Sequence, residues 1–278
     1  MNNCPIGIFD SGVGGLSVFA ELIKLLPEEN YIYFGDTKNC PYGNKTKEQL
    51  IDITKSILEF FRTKNVKAVV MACNTTSAAA YEAIKTNYNF KIYPILQTVS
   101  GYIARKNYKN IGVFATNATV NSHAYKTELK KYNPNCNIYE TACPDWVDIV
   151  ENELQNEEKS IQNVKTHMDE MLCNNIDKII LGCTHYPYLI NVLKKFAPED
   201  LFINPAEYFA KAIAKDLKEN NLLSGIKKHE PMFFVSSNPG QFKSASKLFY
   251  NVNKAEEISV NQLLVKYVRT KFHDKPTA

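Results

Sequence analysis

Two cysteines follow runs of residues that are typical of buried β-strands. The run KAVVMA (67–72) ends directly before Cys73, and the run KIILG (178–182) ends directly before Cys183. His185 follows two residues after the second cysteine. A thiol at the point where a strand ends and a helix begins lies near the positive end of the helix dipole, which favours the thiolate. The spacing therefore indicates thiols that exchange protons or attack a substrate, with His185 assisting Cys183.

A pair of thiols indicates a different chemistry from a single activated nucleophile. Inverting a stereocentre requires one base that removes a proton from one face and one acid that returns a proton to the other face. One ionised and one protonated thiol can do this without a cofactor. A free thiol has a pKa of about 8.5, so both protonation states are accessible at mildly alkaline pH. Asp10, which closes the first predicted strand, is a carboxylate that can relay or orient protons on a thiol.

The elements that position these residues follow from short apolar runs that alternate with segments of helical period. Thr46 and Gln49 fit a capping box for a helix over 46–64. Asn204 and Asn238 each precede a proline, as helix caps do. The alternation predicts parallel, doubly wound α/β sheets. The predicted strands cover 5–9, 31–35, 67–72, 91–96, 110–115, 137–142, 178–182, 201–204 and 232–237.

Two pairs of segments repeat along the chain. IGIFDS (6–11) is similar to IGVFAT (111–116), and AVVMACNTT (68–76) is similar to KIILGCTHY (178–186). The distances from each opening strand to its cysteine are also close, at 63 residues in the first case and 68 in the second. Open α/β sheets bind ligands at the carboxyl ends of their strands. The repeat therefore predicts two similar halves with one cysteine on each wall of a shared cleft.

The composition argues against several other classes of protein. The 278 residues are 45% hydrophobic and 22% charged, as in ordinary globular domains. The net charge of +4 comes without a Lys/Arg block, so we expect no nucleic acid as the primary partner. The N-terminus lacks a signal-peptide pattern and no apolar run approaches the ~20 residues that span a bilayer, so a soluble, cytoplasmic protein without a membrane partner is expected.

The seven cysteines form no CxxC pair. An odd number of scattered cysteines in a cytosolic chain indicates free thiols rather than disulfides. Cys4, Cys136 and Cys173 are interpreted as small buried residues.

Six segments make the chain resemble the glutamate racemase family, bacterial enzymes that supply D-glutamate for peptidoglycan. The resemblance implies an α/β fold of two similar doubly wound parallel-sheet domains related by a pseudo-twofold, with the active site in the cleft between them. We expect residues 1–97 and 208–278 to form the first domain and residues 98–207 to form the second. The six segments are FDSGVGGLSV (9–18), GDTKNCPYGNK (35–45), ACNTTSA (72–78), TNATVNSHAY (116–125), ACPDWVDIVE (142–151) and LGCTHYPYL (181–189).

The resemblance also implies roles for individual residues. Cys73, in the first domain, would act on the α-hydrogen of the D-enantiomer, and Cys183, in the second, on that of the L-enantiomer. Asp10 and His185 match positions that assist the respective thiols, and Glu151 matches a carboxylate near the second thiol. Substrate carboxylates and ammonium are expected on neutral groups, several of them near helix N-termini, where anions bind favourably. The residues that carry these groups are Ser11, Pro41, Tyr42, Gly43, Asn74, Thr75, Thr116, Thr119 and Thr184.

The family implies interconversion of L- and D-glutamate with no cofactor and no metal, by a homodimer in the cytoplasm. The chain departs from the usual family pattern at Cys40 and at QTVSG (97–101). Another departure, CPDWVD, puts Asp145, Trp146 and Asp148 near the expected second side of the cleft. These departures leave the two cysteine motifs unchanged.

Other functions fit parts of the sequence. An aspartate racemase or a related amino-acid racemase of the same family would share the two cysteines. A dinucleotide-dependent oxidoreductase is suggested by GVGGLS (12–17) after a strand and by Asp36, 24 residues after Gly12. Against it, Ser17 stands in place of the third glycine, and Asp10 lies where it would repel a pyrophosphate.

Three further alternatives each explain less. A cysteine hydrolase would use Cys183 and His185 but would leave Cys73 without a role. A zinc site formed by Cys73, Cys183, His185 and Asp10 has suitable ligand types but no short chelating spacing. A protein that only binds amino acids needs no pair of thiols.

Overall fold

The computed structural model describes residues 2–225 and 229–259, which form two parallel β-sheets with helices packed against them. The described strands are β1 (Ile6–Asp10), β2 (Tyr31–Gly35), β3 (Ala68–Met71), β4 (Lys91–Pro94), β5 (Asn110–Ala115), β6 (Asn137–Ala142), β7 (Lys178–Leu181), β8 (Phe202–Ile203), β9 (Met232–Val235) and β10 (Glu256–Glu257). The described α-helices are α1 (Leu16–Leu25), α2 (Lys47–Thr63), α3 (Asn74–Ile84), α4 (Ile95–Ala104), α5 (Asn117–Asn121), α6 (Ala124–Tyr132), α7 (Trp146–Glu151), α8 (Glu158–Leu172), α9 (Ile190–Leu193), α10 (Pro205–Glu219) and α11 (Pro239–Ser246). Short 3-10 turns cover Tyr42–Asn44, Tyr186–Leu189 and Glu199–Leu201.

The two sheets share one strand order. The first sheet runs β10-β9-β2-β1-β3-β4 and the second runs β6-β5-β7-β8, and every described pair is parallel. The second sheet therefore repeats the β2-β1-β3-β4 part of the first. The predicted fold class, two doubly wound α/β units, is confirmed.

The strand register brings equivalent residues to the edge of each sheet. In the first sheet Phe9 pairs with Met71, and in the second Phe114 pairs with Leu181. Each cysteine therefore lies two residues after the last paired residue of its strand. This position is next to the end of the neighbouring strand, β1 in the first sheet and β5 in the second. The predicted repeat of the two cysteine positions is present in the register.

The helix signals in the sequence are mostly present. The Thr46–Gln49 capping box precedes α2, with both reciprocal bonds formed, and the Asn204 side chain accepts a hydrogen bond from the Ala206 N–H at 3.1 Å. The Asn238 prediction is wrong in one respect, because this residue adopts a left-handed conformation (φ 51°) and its side chain makes no capping bond. The proline that follows still begins α11.

The strands of the two sheets come from different parts of the chain. The first sheet takes strands from 6–94 and from 232–257, and the second takes strands from 110–203. The boundaries at 97/98 and 207/208 remain predictions, and residues 226–228 and 260–278 of the predicted first domain lie outside the described residues.

A continuous apolar core joins the two sheets. Ile8 and Val70 of the first sheet belong to the same buried cluster as Val113 and Leu181 of the second. Phe9 and its neighbours point to the opposite face of the first sheet and form a separate cluster with α2. A sheet that is buried on both faces needs apolar residues at successive positions, as the continuous apolar runs of the sequence indicate.

No helix within the described ranges is long and apolar enough to cross a membrane. All seven cysteines are free. Cys136 is buried as expected, but Cys4 is only half-buried and Cys173 is exposed, because it follows the last turn of α8. The interpretation of Cys4 and Cys173 as buried residues is therefore wrong.

A buried ion pair holds the amino end of β3, the strand that leads to Cys73. Lys67 Nζ lies 2.5 Å from Glu29 Oε2, and both side chains are almost completely buried. The ammonium also donates to the backbone carbonyls of Asn2 at 2.8 Å and Leu222 at 2.7 Å. This one cation thus ties together the N-terminus, the start of β3 and the chain after α10.

Replacing Lys67 by methionine is expected to lower the free energy of unfolding by about 3–5 kcal/mol, because Glu29 is left as an unpaired buried charge. Urea denaturation of the two proteins measures the difference. Lys85→Met, which removes the exposed pair with Glu82, is the matched control and should leave stability nearly unchanged. A Lys67→Met protein as stable as the control would contradict this role.

Candidate active site

Both motif cysteines border one cleft between the carboxyl edges of the two sheets. Cys73 is 5% exposed and Cys183 is 8% exposed. They lie on opposite units of the chain, since one follows β3 and the other follows β7. The cleft is bordered by Ser11, Pro41, Tyr42, Gly43, Asn44, Cys73, Asn74, Thr75, Thr116, Asn117, Pro144, Val147, Asp148, Cys183, Thr184 and His185.

Cys73 occupies the N-cap position of α3, as its place between a strand and a helix predicts. Burial, and then the nearby charge of Asp10, raise the pKa of the Cys73 thiol to about 12. The helix terminus was expected to favour the thiolate, but loss of water around the sulfur outweighs that effect. Cys73 is therefore protonated at neutral pH.

Asp10 lies beneath the cleft at the end of β1 and is fully buried. Its carboxylate accepts hydrogen bonds from the Gly12 N–H at 3.1 Å and from Thr184 Oγ1 at 3.3 Å. Burial raises the pKa of Asp10, while the charge of His185 opposes the increase. Asp10 does not border the cleft itself, so it can influence Cys73 without occupying space that a substrate needs.

Cys183 begins a chain of three polar groups. Its sulfur lies 3.7 Å from His185 Nδ1, and His185 Nε2 lies 2.9 Å from Glu151 Oε1. Burial lowers the pKa of His185, but its hydrogen bonds with Cys183 and Glu151 outweigh burial and raise the pKa to about 10. A protonated imidazole in this position stabilises a thiolate on one side and is oriented by a carboxylate on the other.

The helix expected after Cys183 differs from the prediction. A 3-10 turn, Tyr186–Leu189, follows the motif, and the four residues of α9 come after it. The weak dipole of such short elements leaves the hydrogen bond with His185 as the main polar contact of Cys183.

The predicted substrate-binding residues are brought together almost completely. Eight of the nine border the cleft: Ser11, Pro41, Tyr42, Gly43, Asn74, Thr75, Thr116 and Thr184. The ninth, Thr119, is fully buried behind them and bonds Thr116 Oγ1 at 3.1 Å and Thr75 Oγ1 at 3.4 Å. Glu151 also lies outside the cleft and reaches it through His185.

Hydrogen bonds between the two units close the back of the cleft. Thr75 Oγ1 and Thr116 Oγ1 are 2.9 Å apart. Tyr125, on α6, donates its hydroxyl to Asn74 Oδ1 at 2.7 Å. Together with the Thr184–Asp10 bond, these contacts join residues of the first sheet unit to residues of the second.

Four residues that border the cleft had no predicted role: Asn44, Asn117, Pro144 and Val147. Each lies next to a predicted site residue or within a recognised segment, so adjacency was the only available signal. Of the three residues in the CPDWVD departure, Asp148 borders the cleft, but Trp146 is fully buried and donates to Asn163 Oδ1 at 3.0 Å. Asp145 accepts a hydrogen bond from the same asparagine at 3.1 Å.

The glycine-rich loop after β1 packs against the second unit. A Cβ atom on Gly14 would lie only 2.7 Å from His185 Nδ1 and would also collide with Thr184 Oγ1. Asp36, the expected ribose ligand of a dinucleotide, instead accepts a hydrogen bond from the buried Tyr42 hydroxyl at 2.6 Å. The loop therefore serves close packing at the cleft, which argues against the oxidoreductase alternative.

Within the described part of the chain, no three His, Cys, Asp or Glu side chains are grouped so that they could share a metal ion. Among the described residues that border the cleft there is also no lysine or arginine. Anionic groups of a ligand would therefore meet neutral hydroxyl, amide and backbone donors, together with His185.

Comparisons with known proteins agree on one family. The family described as Asp/Glu/Hydantoin racemase matches residues 6–212. "Glutamate racemase 2" of Caldanaerobacter subterraneus is 39% identical over 263 residues, which are 94% of this chain and 98% of that protein. The glutamate racemase of Carboxydothermus hydrogenoformans is 36% identical over 261 residues, 93% of this chain and 97% of that protein.

A solved structure gives the same result for the fold. The glutamate racemase of Francisella tularensis, crystallised in complex with D-glutamate, superimposes with a TM-score of 0.88 at 32% identity, covering 94% of this chain and 100% of that one. The family match, the full-length relatives and the shared fold lead to one conclusion: the chain belongs to the Asp/Glu/Hydantoin racemase family.

Proposed function

We propose that this chain is a glutamate racemase that interconverts L- and D-glutamate without a cofactor, with Cys73 and Cys183 as its two acid/base groups. The observation that carries the proposal is the position of these free thiols at equivalent strand ends on the two sides of one cleft. The glutamate racemases to which the chain is 36–39% identical over nearly its full length support the choice of substrate.

Conversion of L-glutamate begins with Cys183 as a thiolate. Its sulfur takes the α-proton from one face, which leaves the electron pair on the α-carbon. The Cys73 thiol then delivers its own proton to the opposite face, so that D-glutamate forms, Cys183 is protonated and Cys73 becomes the thiolate. The environments support this direction, because burial keeps Cys73 protonated and His185 stands beside Cys183. The reverse reaction starts from the opposite pair of protonation states.

Three other groups are assigned supporting roles. Asp10 exchanges protons with the Cys73 thiol or orients it. His185 has the same role for the Cys183 thiol, and Glu151 orients the His185 imidazole. The neutral donors that border the cleft would hold the two carboxylates, with the N-terminus of α3 adding backbone N–H groups. We also propose, from the family resemblance, a cytoplasmic homodimer whose product supplies peptidoglycan synthesis.

The deciding assay uses purified protein with no added cofactor. Circular dichroism follows separate solutions of L-glutamate and L-aspartate after dialysis of the protein against a chelator. We expect the glutamate signal to decay to zero and the aspartate signal to persist. Decay of the aspartate signal alone would favour an aspartate racemase, and activity that returned only with an added cofactor or metal would contradict the proposal.

Replacing either Cys73 or Cys183 by alanine is expected to reduce turnover by at least about a hundred- to ten-thousandfold, because one obligatory proton carrier is lost. Both variants should remain folded, since each loses one sulfur at the edge of a cleft. Cys173→Ala, which removes an exposed cysteine, is the matched control and should keep full activity. Near-normal racemisation by either cleft variant would rule out the two-thiol scheme.

The isotope pattern in D₂O distinguishes two bases from one. Starting from L-glutamate, the D-glutamate product should carry solvent deuterium at the α-carbon from the first turnovers, while the remaining L-glutamate stays largely protiated. The reason is that Cys73 already carries solvent deuterium when it donates to the opposite face. Mass spectrometry of the separated enantiomers at a few per cent conversion makes the measurement. Comparable deuterium in both enantiomers would mean that one group serves both faces.

A further inference from the structure

We propose that Tyr125 is a positioning residue for the substrate: its hydroxyl turns the Asn74 side-chain amide so that Nδ2 donates to a carboxylate of the bound amino acid. This inference rests on the proposed function and adds to it the group that orients one substrate ligand. No role was expected for Tyr125 beyond its place in a recognised segment.

The contact between the two side chains is short and buried. Tyr125 Oη lies 2.7 Å from Asn74 Oδ1. Tyr125 is completely buried on α6, and Asn74, the first residue of α3, is 3% exposed. The bond therefore crosses from the second sheet unit to the residue that follows Cys73 in the first.

The direction of the bond determines how the amide is turned. Burial raises the pKa of Tyr125 far above its usual range, so the phenol keeps its proton and acts as a donor. A donor selects the carbonyl oxygen of Asn74 rather than its NH₂ group. The NH₂ group must then face away from Tyr125.

The freed NH₂ group has no protein partner. Asn74 Nδ2 is buried and makes no hydrogen bond with any residue in the described part of the chain. Asn74 also borders the cleft, next to Cys73. Buried polar groups are almost always paired in native proteins, so an unpaired donor beside a cleft indicates a ligand acceptor. A substrate carboxylate is a suitable acceptor, and the described residues that border the cleft include no lysine or arginine that would bind it instead.

The ring of Tyr125 is held in this orientation by its packing. A Cβ atom on Gly182 would lie 2.9 Å from Tyr125 Cε2, so the ring lies directly against the backbone that leads to Cys183. The hydroxyl therefore has little freedom to choose another acceptor. Both thiol loops contribute to the arrangement, one through Asn74 and the other through Gly182.

A second, smaller cavity is another place into which the Asn74 NH₂ group could donate a hydrogen bond. This cavity, of about 10 Å³, is bordered by Asn74 and by Ser17, whose Oγ is likewise buried without a partner within the described residues. Its volume is at the lower limit for one water molecule. The Asn74 amide could donate into this cavity instead of to the substrate. In that case, removing the Ser17 hydroxyl would change substrate binding as much as removing the Tyr125 hydroxyl.

A double-mutant cycle tests the proposal on the full chain. Tyr125→Phe, Asn74→Ala and the double variant are compared with the unchanged protein in kcat and KM for L-glutamate, and in the Kd of L-glutamate by calorimetry. We expect Tyr125→Phe to raise KM and Kd about tenfold and to change kcat less than about threefold. The reason is that the lost hydrogen bond would hold the substrate and the transition state equally. In the Asn74→Ala background the same change should have almost no further effect.

Two control variants separate positioning from general damage. Tyr31→Phe removes another buried hydroxyl, which donates to the Leu22 and Leu26 carbonyls, and should leave KM unchanged. Ser17→Ala should also leave KM unchanged. Additive losses in the double variant, or a Ser17→Ala protein that reproduces the KM of Tyr125→Phe, would overturn the proposal.

The same measurements keep this inference separate from the proposed function. If the unchanged protein binds glutamate but does not racemise it, the proposed function fails and the Kd cycle still decides the role of Tyr125. If it racemises glutamate normally but the cycle is additive, the positioning role fails alone. A protein that does not bind glutamate overturns both.

Discussion

The close approach of two parallel sheets at their carboxyl edges is the constraint on which the site depends. Parallel strands all release their loops at one edge, so two such edges that face each other enclose a cleft lined by loop residues. The approach is possible because Gly14 has no side chain where Thr184 and His185 pass. The apolar core that continues from one sheet to the other, and the hydrogen bonds at the back of the cleft, then keep the two cysteines on opposite walls.

The two halves share an architecture but differ in how they assist their thiols. The register makes Asp10 and Ala115 equivalent, so the carboxylate next to Cys73 has only a methyl group as its counterpart. His185 stands two residues after Cys183, where the first half has Thr75. One thiol is thus buried near a carboxylate, and the other lies beside an imidazole. A stereocentre presents two different faces, and in the proposed reaction this asymmetry would give each face its own kind of proton carrier.

Sequence patterns predicted the strands well because apolar runs and cysteine-containing motifs are local features. The cap at Asn204 was predictable for the same reason, whereas Asn238 carries the same Asn-Pro signal but has a left-handed backbone and makes no capping bond. The sequence indicated which residues lie near the site, but not which of them border the cleft and which are buried behind it. Thr119 lies behind Thr116, and Trp146 is buried in the core. Burial of Cys73, which outweighs the helix dipole, arises from packing between distant segments and leaves no local pattern.

The burial of Cys73 has a consequence for the chemical durability of the protein. Alkylating agents and peroxides attack the thiolate rather than the thiol, and they need access to the sulfur. Cys73 is protonated at neutral pH and shielded from solvent, whereas Cys173 is exposed at the end of α8. An electrophile or oxidant in the surrounding solution would therefore react with the sulfur of Cys173 before that of Cys73. The burial that keeps the Cys73 thiol protonated also protects it from irreversible damage.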